Sequence, residues 1–333
     1  MYVSRLVAFA ATFSSTLAAV YQGFNYGAER PEGGFRQLSH FETEFKAARN
    51  LLNAPAGGFT SARLYTTIQG GTKDNTTSAI DAAFSTDTSL LLGIWCSAGT
   101  EVFQNELKAL KTAISIHGDK LTKLVVGISV GSEDIYRTTD VAIVQNKESN
   151  PGAPPSVIVS YIKQVRDAIR GTALAETPVG HVDTWTVWTN SSNQAVIDAC
   201  DWIGFDAYPY YEAGMSNSIE NSKSLFNTAM QKTRDAVGGK PIWVTETGFP
   251  IKGKASDQAV PSPENAKSYW DQVGCPLFGK TNVWWFWLHG VGSPDFSIIS
   301  DLQNTTAEFD ISCSAASVSP TSGWLPRCAD TNF

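Results

Sequence analysis

Eight short apolar runs recur along this 333-residue chain, and stretches with helical character separate most of them. Several runs are continuously apolar rather than alternating, which is typical of strands covered on both faces in a parallel sheet. We predict strands at 22–27, 61–66, 90–96, 124–130, 179–185, 202–208, 241–245 and 282–288, and helices at 41–52, 101–116, 155–170, 222–237 and 263–272. Eight strands alternating with helices predict an α/β fold, a single (β/α)8 TIM barrel.

An open doubly wound sheet is the structural alternative. That fold usually carries a glycine-rich phosphate loop after its first strand. The segment 23–27 (GFNYG) lacks the G-x-G-x-x-G spacing, and no Walker sequence occurs in the chain. The length also suits a barrel, which typically takes about 250 residues or more. We therefore favour the barrel.

The composition disfavours several classes of partner. The formal net charge is −7, whereas binding to nucleic acid requires clustered lysine and arginine. The same charge disfavours an anionic membrane surface. No stretch beyond the amino terminus approaches the ~20 apolar residues of a membrane span. An uncharged, hydroxyl-rich ligand is compatible with this composition.

The amino terminus has the pattern of a secretion signal. Arg5 precedes the apolar run 6–13, and small residues at 17–19 suit cleavage. Sequons for N-glycosylation at Asn75, Asn190 and Asn304 agree with that route. We therefore predict a secretion signal at 1–19, a barrel at 20–312 and a loose tail at 313–333, and we expect a soluble extracellular protein.

Cysteine and histidine spacing predicts neither a metal site nor a cofactor. The chain has five cysteines, Cys96, Cys200, Cys275, Cys313 and Cys328, without a C-x-x-C pair, and its four histidines show no ligand spacing. Cys275 and Cys313 flank the last predicted strand and could form a disulfide bridge, although spacing alone does not decide the pairing. Cys96 ends an apolar strand and is interpreted as an inert buried thiol.

Two glutamates follow apolar strands at the ends where a barrel builds its active site. Glu133 comes after the fourth predicted strand, and Glu246 comes directly after the seventh. A carboxylate at the end of an apolar run is costly to bury without a partner or a task. A pair of carboxyl groups on one face is what acid and nucleophile chemistry on a glycosidic bond requires.

Aromatic and polar side chains at the ends of the other strands predict a groove for an oligosaccharide, since flat rings stack on sugar faces. The predicted substrate-binding residues on these strands are Tyr26, Arg63, Tyr65, Asp183, Trp185, Tyr208, Trp285 and Trp287. Aromatic residues in strands are also common in cores, and Arg63 could instead form a buried ion pair. Asp206 could orient a loop, and Glu212 is expected to be solvated.

Two segments that contain these glutamates resemble the active-site signatures of glycoside hydrolase family 17: 126–134 (VGISVGSED) and 243–250 (WVTETGFP). The resemblance extends from about residue 22 to 313 and is closest to the fungal cell-wall glucan enzymes of that family. It implies a barrel enzyme that acts on β-1,3-glucan with retention, with Glu133 as acid/base and Glu246 as nucleophile. Ser132 stands where many relatives have an asparagine that would hold the sugar 2-hydroxyl, so that contact is lost, bridged by water or replaced.

The resemblance therefore predicts endo-acting hydrolysis of cell-wall β-1,3-glucan by double displacement, in a secreted protein that is expected to be a monomer. Retention requires the two carboxyl groups to lie about 5–5.5 Å apart, whereas inversion requires roughly 6.5–9.5 Å. Two alternatives stay open. One is a β-1,3-glucanosyltransferase that uses the same intermediate, and the other is a non-catalytic module that binds glucan.

Overall fold

The computed structural model describes residues 19–146 and 152–313. All but the last residue of the predicted secretion signal, and all but the first residue of the predicted tail, lie outside the described residues. Within the described ranges, eight parallel strands close into one barrel in sequence order, with the first strand paired to the last. The predicted (β/α)8 TIM barrel is therefore confirmed.

The strands observed match the predicted runs in number and order, with shifts of a few residues at their ends. They are β1 (Gln22–Tyr26), β2 (Ser61–Leu64), β3 (Ser89–Ile94), β4 (Val125–Ser132), β5 (Val179–Thr184), β6 (Trp202–Asp206), β7 (Ile242–Glu246) and β8 (Val283–Trp285). The last strand is shorter than predicted, because the run 282–288 continues as irregular backbone after Trp285.

Helices lie outside the barrel, and the five predicted ones correspond to the longer helices together with α10. The helices are α1 (Leu38–Arg49), α2 (Ala79–Thr86), α3 (Thr100–His117), α4 (Leu121–Leu124), α5 (Asp140–Asn146), α6 (Pro155–Ile169), α7 (Trp185–Trp188), α8 (Gln194–Ala199), α9 (Ile219–Ala236), α10 (Pro263–Tyr269) and α11 (Cys275–Leu277). Ser262 caps α10 by accepting the Asn265 N–H at 3.1 Å, as the sequence suggests. The unpredicted helices are mostly too short to show a clear period.

Stacked indoles fill the barrel near its amino-terminal mouth. The rings of Trp202 on β6 and Trp243 on β7 lie 4.1 Å apart and within 10° of parallel. Glycines on the neighbouring strands make room for them. A Cβ atom at Gly127 on β4 would lie 2.8 Å from the Trp243 ring, and one at Gly180 on β5 would lie 2.5 Å from the Trp202 ring. The two indole rings are thus packed among four consecutive strands, β4 to β7.

A disulfide between Cys275 and Cys313 fixes the end of the described chain to the segment before β8, so the bridge left open by the sequence is present. Cys96 and Cys200 are buried free thiols. Among the residues that the structure describes, no helix has the length and apolar character of a membrane span, and no group of three or more histidine, cysteine or acidic residues could hold a metal ion.

Candidate active site

Glu246 ends β7, and its carboxylate receives three hydrogen bonds. Arg63 Nη1 and Tyr65 Oη donate to Oε1 at 2.6 and 2.7 Å, and Tyr208 Oη donates to Oε2 at 2.8 Å. These donors lie on β2 or just after β2 and β6, so barrel closure brings them to one point. The Glu246 side chain is 10% exposed. Three donors around a nearly buried group suit an ionised carboxylate held in one orientation.

Arg63 joins this carboxylate to two further strands. Its Nη1 also donates to Asn25 Oδ1 on β1 at 2.7 Å, and its Nη2 donates to Ser132 Oγ on β4 at 2.9 Å. Burial alone would lower the pKa of Arg63, but the charges of Glu246 and Asp206 raise it above its usual range. The guanidinium therefore stays charged and orients Glu246 from behind.

Glu133 lies in the turn directly after β4, where its backbone has a φ of +56°. A non-glycine residue in this left-handed region costs on the order of 1 kcal/mol or more and is often found at functional sites. The turn is held by Glu133 N–H donating to Val182 O at 2.9 Å and by Arg137 N–H donating to Glu133 O at 3.0 Å. Burial, followed by the charge of Glu246, raises the pKa of Glu133 to about 8, so its carboxyl is protonated at neutral pH.

Both glutamates line a cavity of about 1230 Å³ at the carboxyl end of the barrel. Asp206, at the end of β6, lines it too but is only 1% exposed. Thr245 Oγ1 donates to Asp206 Oδ1 at 2.6 Å. Burial, followed by the charge of Glu246, raises the pKa of Asp206 well above its usual range. Burial beside Glu246 therefore favours the neutral form of Asp206.

Two of the predicted substrate-binding residues, Trp185 and Tyr208, line this cavity. Trp185 Nε1 donates to Glu212 Oε1 at 2.6 Å, and Glu212 lines the cavity as well. The expectation that Glu212 is simply solvated is therefore wrong. Its carboxylate fixes the plane of the indole ring on the cavity wall.

Arg63, Tyr65 and Ser132 lie behind Glu246 rather than on the cavity wall. Arg63 forms the buried ion pair that the sequence left as an alternative, with Nη1 2.6 Å from Glu246 Oε1. Ser132 is 4% exposed, and its hydroxyl accepts from Arg63. The oxygen that replaces the asparagine side chain of many relatives is thus used to hold the arginine.

The structure corrects two other predicted substrate-binding residues, Tyr26 and Trp285, because both lie in the core. Tyr26 is 3% exposed and packs edge-on against Phe45 of α1, with ring centroids 5.0 Å apart. Trp285 is 2% exposed and packs edge-on against Trp270 at 4.9 Å. Successive side chains of a strand point to opposite faces, so these two point outward to the helices while their neighbours point into the barrel.

Asp183 and Trp287 are also absent from the cavity wall. Asp183 is 0% exposed, and its Oδ2 accepts the Ile135 N–H at 3.0 Å beneath the turn of Glu133. The prediction that Asp183 binds substrate is corrected, because the carboxylate is used by the protein backbone. Trp287 stacks on Phe286, with centroids 4.7 Å apart, and it is Phe286 that lines the cavity.

Sequence reasoning missed the role of Arg137. Its Nη2 lies 3.7 Å from Glu133 Oε2, and its guanidinium lies over the Trp95 ring at 5.1 Å from the centroid. The signal was the spacing of four residues from Glu133, which is the spacing of a helical ion pair. Sequence reasoning also missed the role of Asn25 as an anchor. Asn25 Nδ2 donates to Thr245 O at 3.1 Å, and Asn25 Oδ1 accepts from Arg63 on β2.

Comparison with known proteins decides the family. The model of the BtgE/BtgC glycoside hydrolase domain matches residues 23–289, which spans the whole barrel. The chain belongs to this family of glycoside hydrolases. The prediction of a glycoside hydrolase is thereby confirmed, and the protein is a glycosidase.

The relatives of this glycoside hydrolase described next are named as glucan 1,3-β-glucosidases. The chain is 51% identical to a probable glucan endo-1,3-β-glucosidase, eglC, of Aspergillus fumigatus, over 96% of the chain and 70% of the relative. It is 27% identical to a glucan 1,3-β-glucosidase of Saccharomyces cerevisiae, over 80% of the chain and 79% of that protein. The fold matches a family 17 β-1,3-glucanosyltransferase from Rhizomucor miehei with a TM-score of 0.70 and 21% identity, over 88% of the chain and 98% of the other.

The site thus offers two carboxyl groups in opposite protonation states on one cavity. Glu246 has three donors around it and suits an anion, while the raised pKa of Glu133 keeps it protonated. Environments that separate the protonation of two carboxyl groups are how a glycosidase assigns its nucleophile and its acid.

Proposed function

We propose that the chain hydrolyses β-1,3-glucan within the polymer, with retention, and that Glu246 is the nucleophile and Glu133 the acid/base. The observation that carries this assignment is the pairing of a carboxylate held by three donors with a carboxyl of raised pKa on one cavity. The β-1,3 linkage is supported by the Aspergillus fumigatus relative, which is named a probable glucan endo-1,3-β-glucosidase and is 51% identical to this chain over 323 residues.

The reaction has two steps. Glu246 Oε attacks the anomeric carbon, the glycosidic C–O bond breaks, and the Glu133 proton passes to the leaving oxygen. The resulting glycosyl ester removes the negative charge of Glu246, and with it the repulsion that helps to raise the pKa of Glu133. Glu133, left as a carboxylate by the first step, then takes a proton from water as the water oxygen attacks the anomeric carbon, which releases Glu246.

Digestion of linear β-1,3-glucan tests this proposal. The wild type should release oligosaccharides of several lengths early, and the first product should be the β-anomer by NMR. Glu246→Gln and Glu133→Gln should both lose turnover, whereas Glu176→Gln, at an exposed glutamate, should not. An initial α-anomer would refute retention, and normal turnover by either active-site variant would refute its assigned role.

Transfer to a second glucan is the alternative within the same chemistry. Trp185 and Tyr211 line the same cavity as Glu133, and a second sugar chain could stack on their rings. Because Glu133 protonates the leaving group in this proposal, an acceptor would bind on its side of the scissile bond. Incubation with a laminari-oligosaccharide of one length distinguishes the two outcomes, since only transfer gives products longer than the starting chain. A non-catalytic glucan-binding module would release no reducing ends at all.

The location proposed for this enzyme is the extracellular space or the cell wall, and the proposed state is a monomer. The disulfide between Cys275 and Cys313 supports an oxidising compartment. Fractionation of the producing cells into medium, wall and cytosol tests the location, and light scattering of the purified protein tests the oligomeric state. Recovery of the enzyme in the cytosol, or a mass of two or more chains, would contradict these proposals.

A further inference from the structure

The turn that carries Glu133 rests on a buried charged cluster that the proposed chemistry does not use. Asp134, His181 and Asp183 are each 0% exposed, and we call these three residues the His181 cluster. Burying ionisable groups costs several kcal/mol per ion unless they are well paired. We therefore expect a cluster of this kind, beneath an active-site turn, to have a function.

Both ring nitrogens of His181 face oxygen atoms. Nδ1 lies 2.6 Å from Val130 O, and Nε2 lies 3.1 Å from Asp183 Oδ2. A carbonyl oxygen only accepts, so Nδ1 carries a hydrogen. Asp183 also acts as an acceptor, because Ile135 N–H donates to Oδ2 at 3.0 Å and Thr184 N–H donates to Oδ1 at 2.9 Å. With Asp183 as a carboxylate, Nε2 donates to Oδ2, so both nitrogens carry a hydrogen and the ring is an imidazolium.

Asp134 supplies a second negative group at the edge of the ring. A Cβ atom placed on Gly131 would lie 2.0 Å from Asp134 Oδ2 and 3.1 Å from His181 Cε1, so carboxylate and ring approach each other across this glycine. Asp134 Oδ1 accepts from Ser97 Oγ at 2.5 Å. Asp134 Oδ2 is buried and has no hydrogen-bond partner among the residues that the structure describes. Burial raises the pKa of Asp134, and the neighbouring His181 is the first of the groups that oppose this shift.

The groups that face His181 come from several elements. Asp183 lies on the same strand, Asp134 follows β4, and the buried thiol of Cys200, after α8, contacts the His181 backbone. Arg137 faces the Asp134 side of the cluster. Burial alone would lower the pKa of His181, but the hydrogen bond and charge of Asp183 and the charge of Asp134 raise it.

We propose that His181 is a positioning residue: as an imidazolium it clamps both sides of the strained turn and so aims the Glu133 carboxyl at the glycosidic oxygen. Before Glu133 it binds the carbonyl of Val130, and after Glu133 it acts through Asp134 and through the Asp183 bond to Ile135. This inference rests on the proposed function of Glu133 as acid/base. It assigns a role in acid catalysis to a residue that cannot touch the substrate.

The charge of His181 can be measured without any variant. In protein with ¹⁵N-labelled histidine, the two ring nitrogens of His181 should both show the shifts of an imidazolium at about pH 8, where an ordinary histidine with a pKa of about 6.5 is neutral. The resonance is identified by its loss in His181→Gln. A neutral ring at that pH would overturn the proposal.

Kinetic measurements then test whether His181 supports the action of Glu133 as a general acid. In His181→Gln, kcat/KM on β-1,3-glucan should fall about 100-fold or more, which is within the usual contribution of a general acid. With dinitrophenyl β-laminaribioside, whose leaving group needs no proton, kcat/KM should stay near that of the wild type. Equal losses on both substrates, or no loss on glucan, would refute a positioning role. If His181→Gln does not fold, Asp183→Asn is measured in the same way.

A matched control and a reference variant keep the outcomes distinct. His117 also lies near a carboxylate, with Nε2 3.8 Å from Asp81 Oδ1, but it ends α3 away from the cavity. His117→Gln should therefore match the wild type on both substrates. Glu133→Gln should show the same split between substrates as His181→Gln. If Glu133→Gln cleaves glucan normally, the proposed function fails; if only His181→Gln is normal, this inference alone fails.

Discussion

Replacing Glu133 by glutamine should remove activity and at the same time stabilise the folded protein at neutral pH. Burial and the charge of Glu246 raise the pKa of Glu133 to about 8 in the folded chain, whereas an unfolded glutamate has a pKa of about 4.3. As the pH rises above the unfolded value, ionisation stabilises only the unfolded state. The free energy of unfolding therefore falls until the pH passes the folded pKa. Glutamine has the same shape and does not titrate.

The size of this effect follows from the two pKa values. The unfolded pKa of about 4.3 lies about 2.7 units below pH 7, and over this interval only the unfolded state is ionised. At 1.36 kcal/mol per pH unit, this ionisation stabilises the unfolded state by about 3 to 4 kcal/mol. The side chain is 25% exposed and Arg137 Nη2 lies 3.7 Å from Glu133 Oε2, and solvent and the arginine both favour the ionised form. We therefore expect Glu133→Gln to gain about 2 to 3 kcal/mol at pH 7, and nothing near pH 4, where both states are protonated.

Urea denaturation at several pH values between about 4 and 8 measures the gain directly. The gap in unfolding free energy between Glu133→Gln and the wild type should widen with rising pH across this range. Glu176→Gln, at an exposed site, should show no such gap. A gap that is the same at every pH, or a variant less stable than the wild type at pH 7, would show that Glu133 is not held protonated by its surroundings.

Three further substitutions test other parts of the structure. Tyr208→Phe removes one of the three donors on the carboxylate that ends β7 and should lower kcat on glucan about 10- to 100-fold; an unchanged rate would mean that this hydrogen bond is dispensable. Replacing Cys275 and Cys313 by serine frees two positions 38 residues apart and should reduce the free energy of unfolding by about 4 kcal/mol, so a loss below about 1 kcal/mol would contradict the estimate. Gly180→Val places a Cβ atom 2.5 Å from the Trp202 ring and should cost about 3 kcal/mol or more in denaturation experiments, whereas wild-type stability would show that the ring can move.

The barrel was predictable because each strand leaves a local mark. Both faces of a parallel strand are covered, so runs such as 90–96 are apolar throughout and can be counted along the chain. The places of Glu133 and Glu246 followed from the same count, since all parallel strands of a barrel end on one face. Neither inference needed information about contacts between distant residues.

The rest of the site depends on which face a side chain takes and on contacts that exist only after the barrel closes. The run 284–287 (WWFW) has aromatic residues at every position, so its pattern does not show that Trp285 faces the core. Arg63 meets Glu246 across a separation of 183 residues, and Asp183 meets Ile135 across 48. No local spacing in the sequence announces either contact.

The paired indoles at the amino-terminal mouth have a consequence for the opposite end of the barrel. They are packed between strands β4 to β7, and the outermost two of these strands carry Glu133 and Glu246. The ring stack thus contributes to the spacing of these four strands. A narrower pair of rings would let the strands approach each other, and the change would reach Glu133 and Glu246 through the strands that carry them, although neither indole lines the cavity.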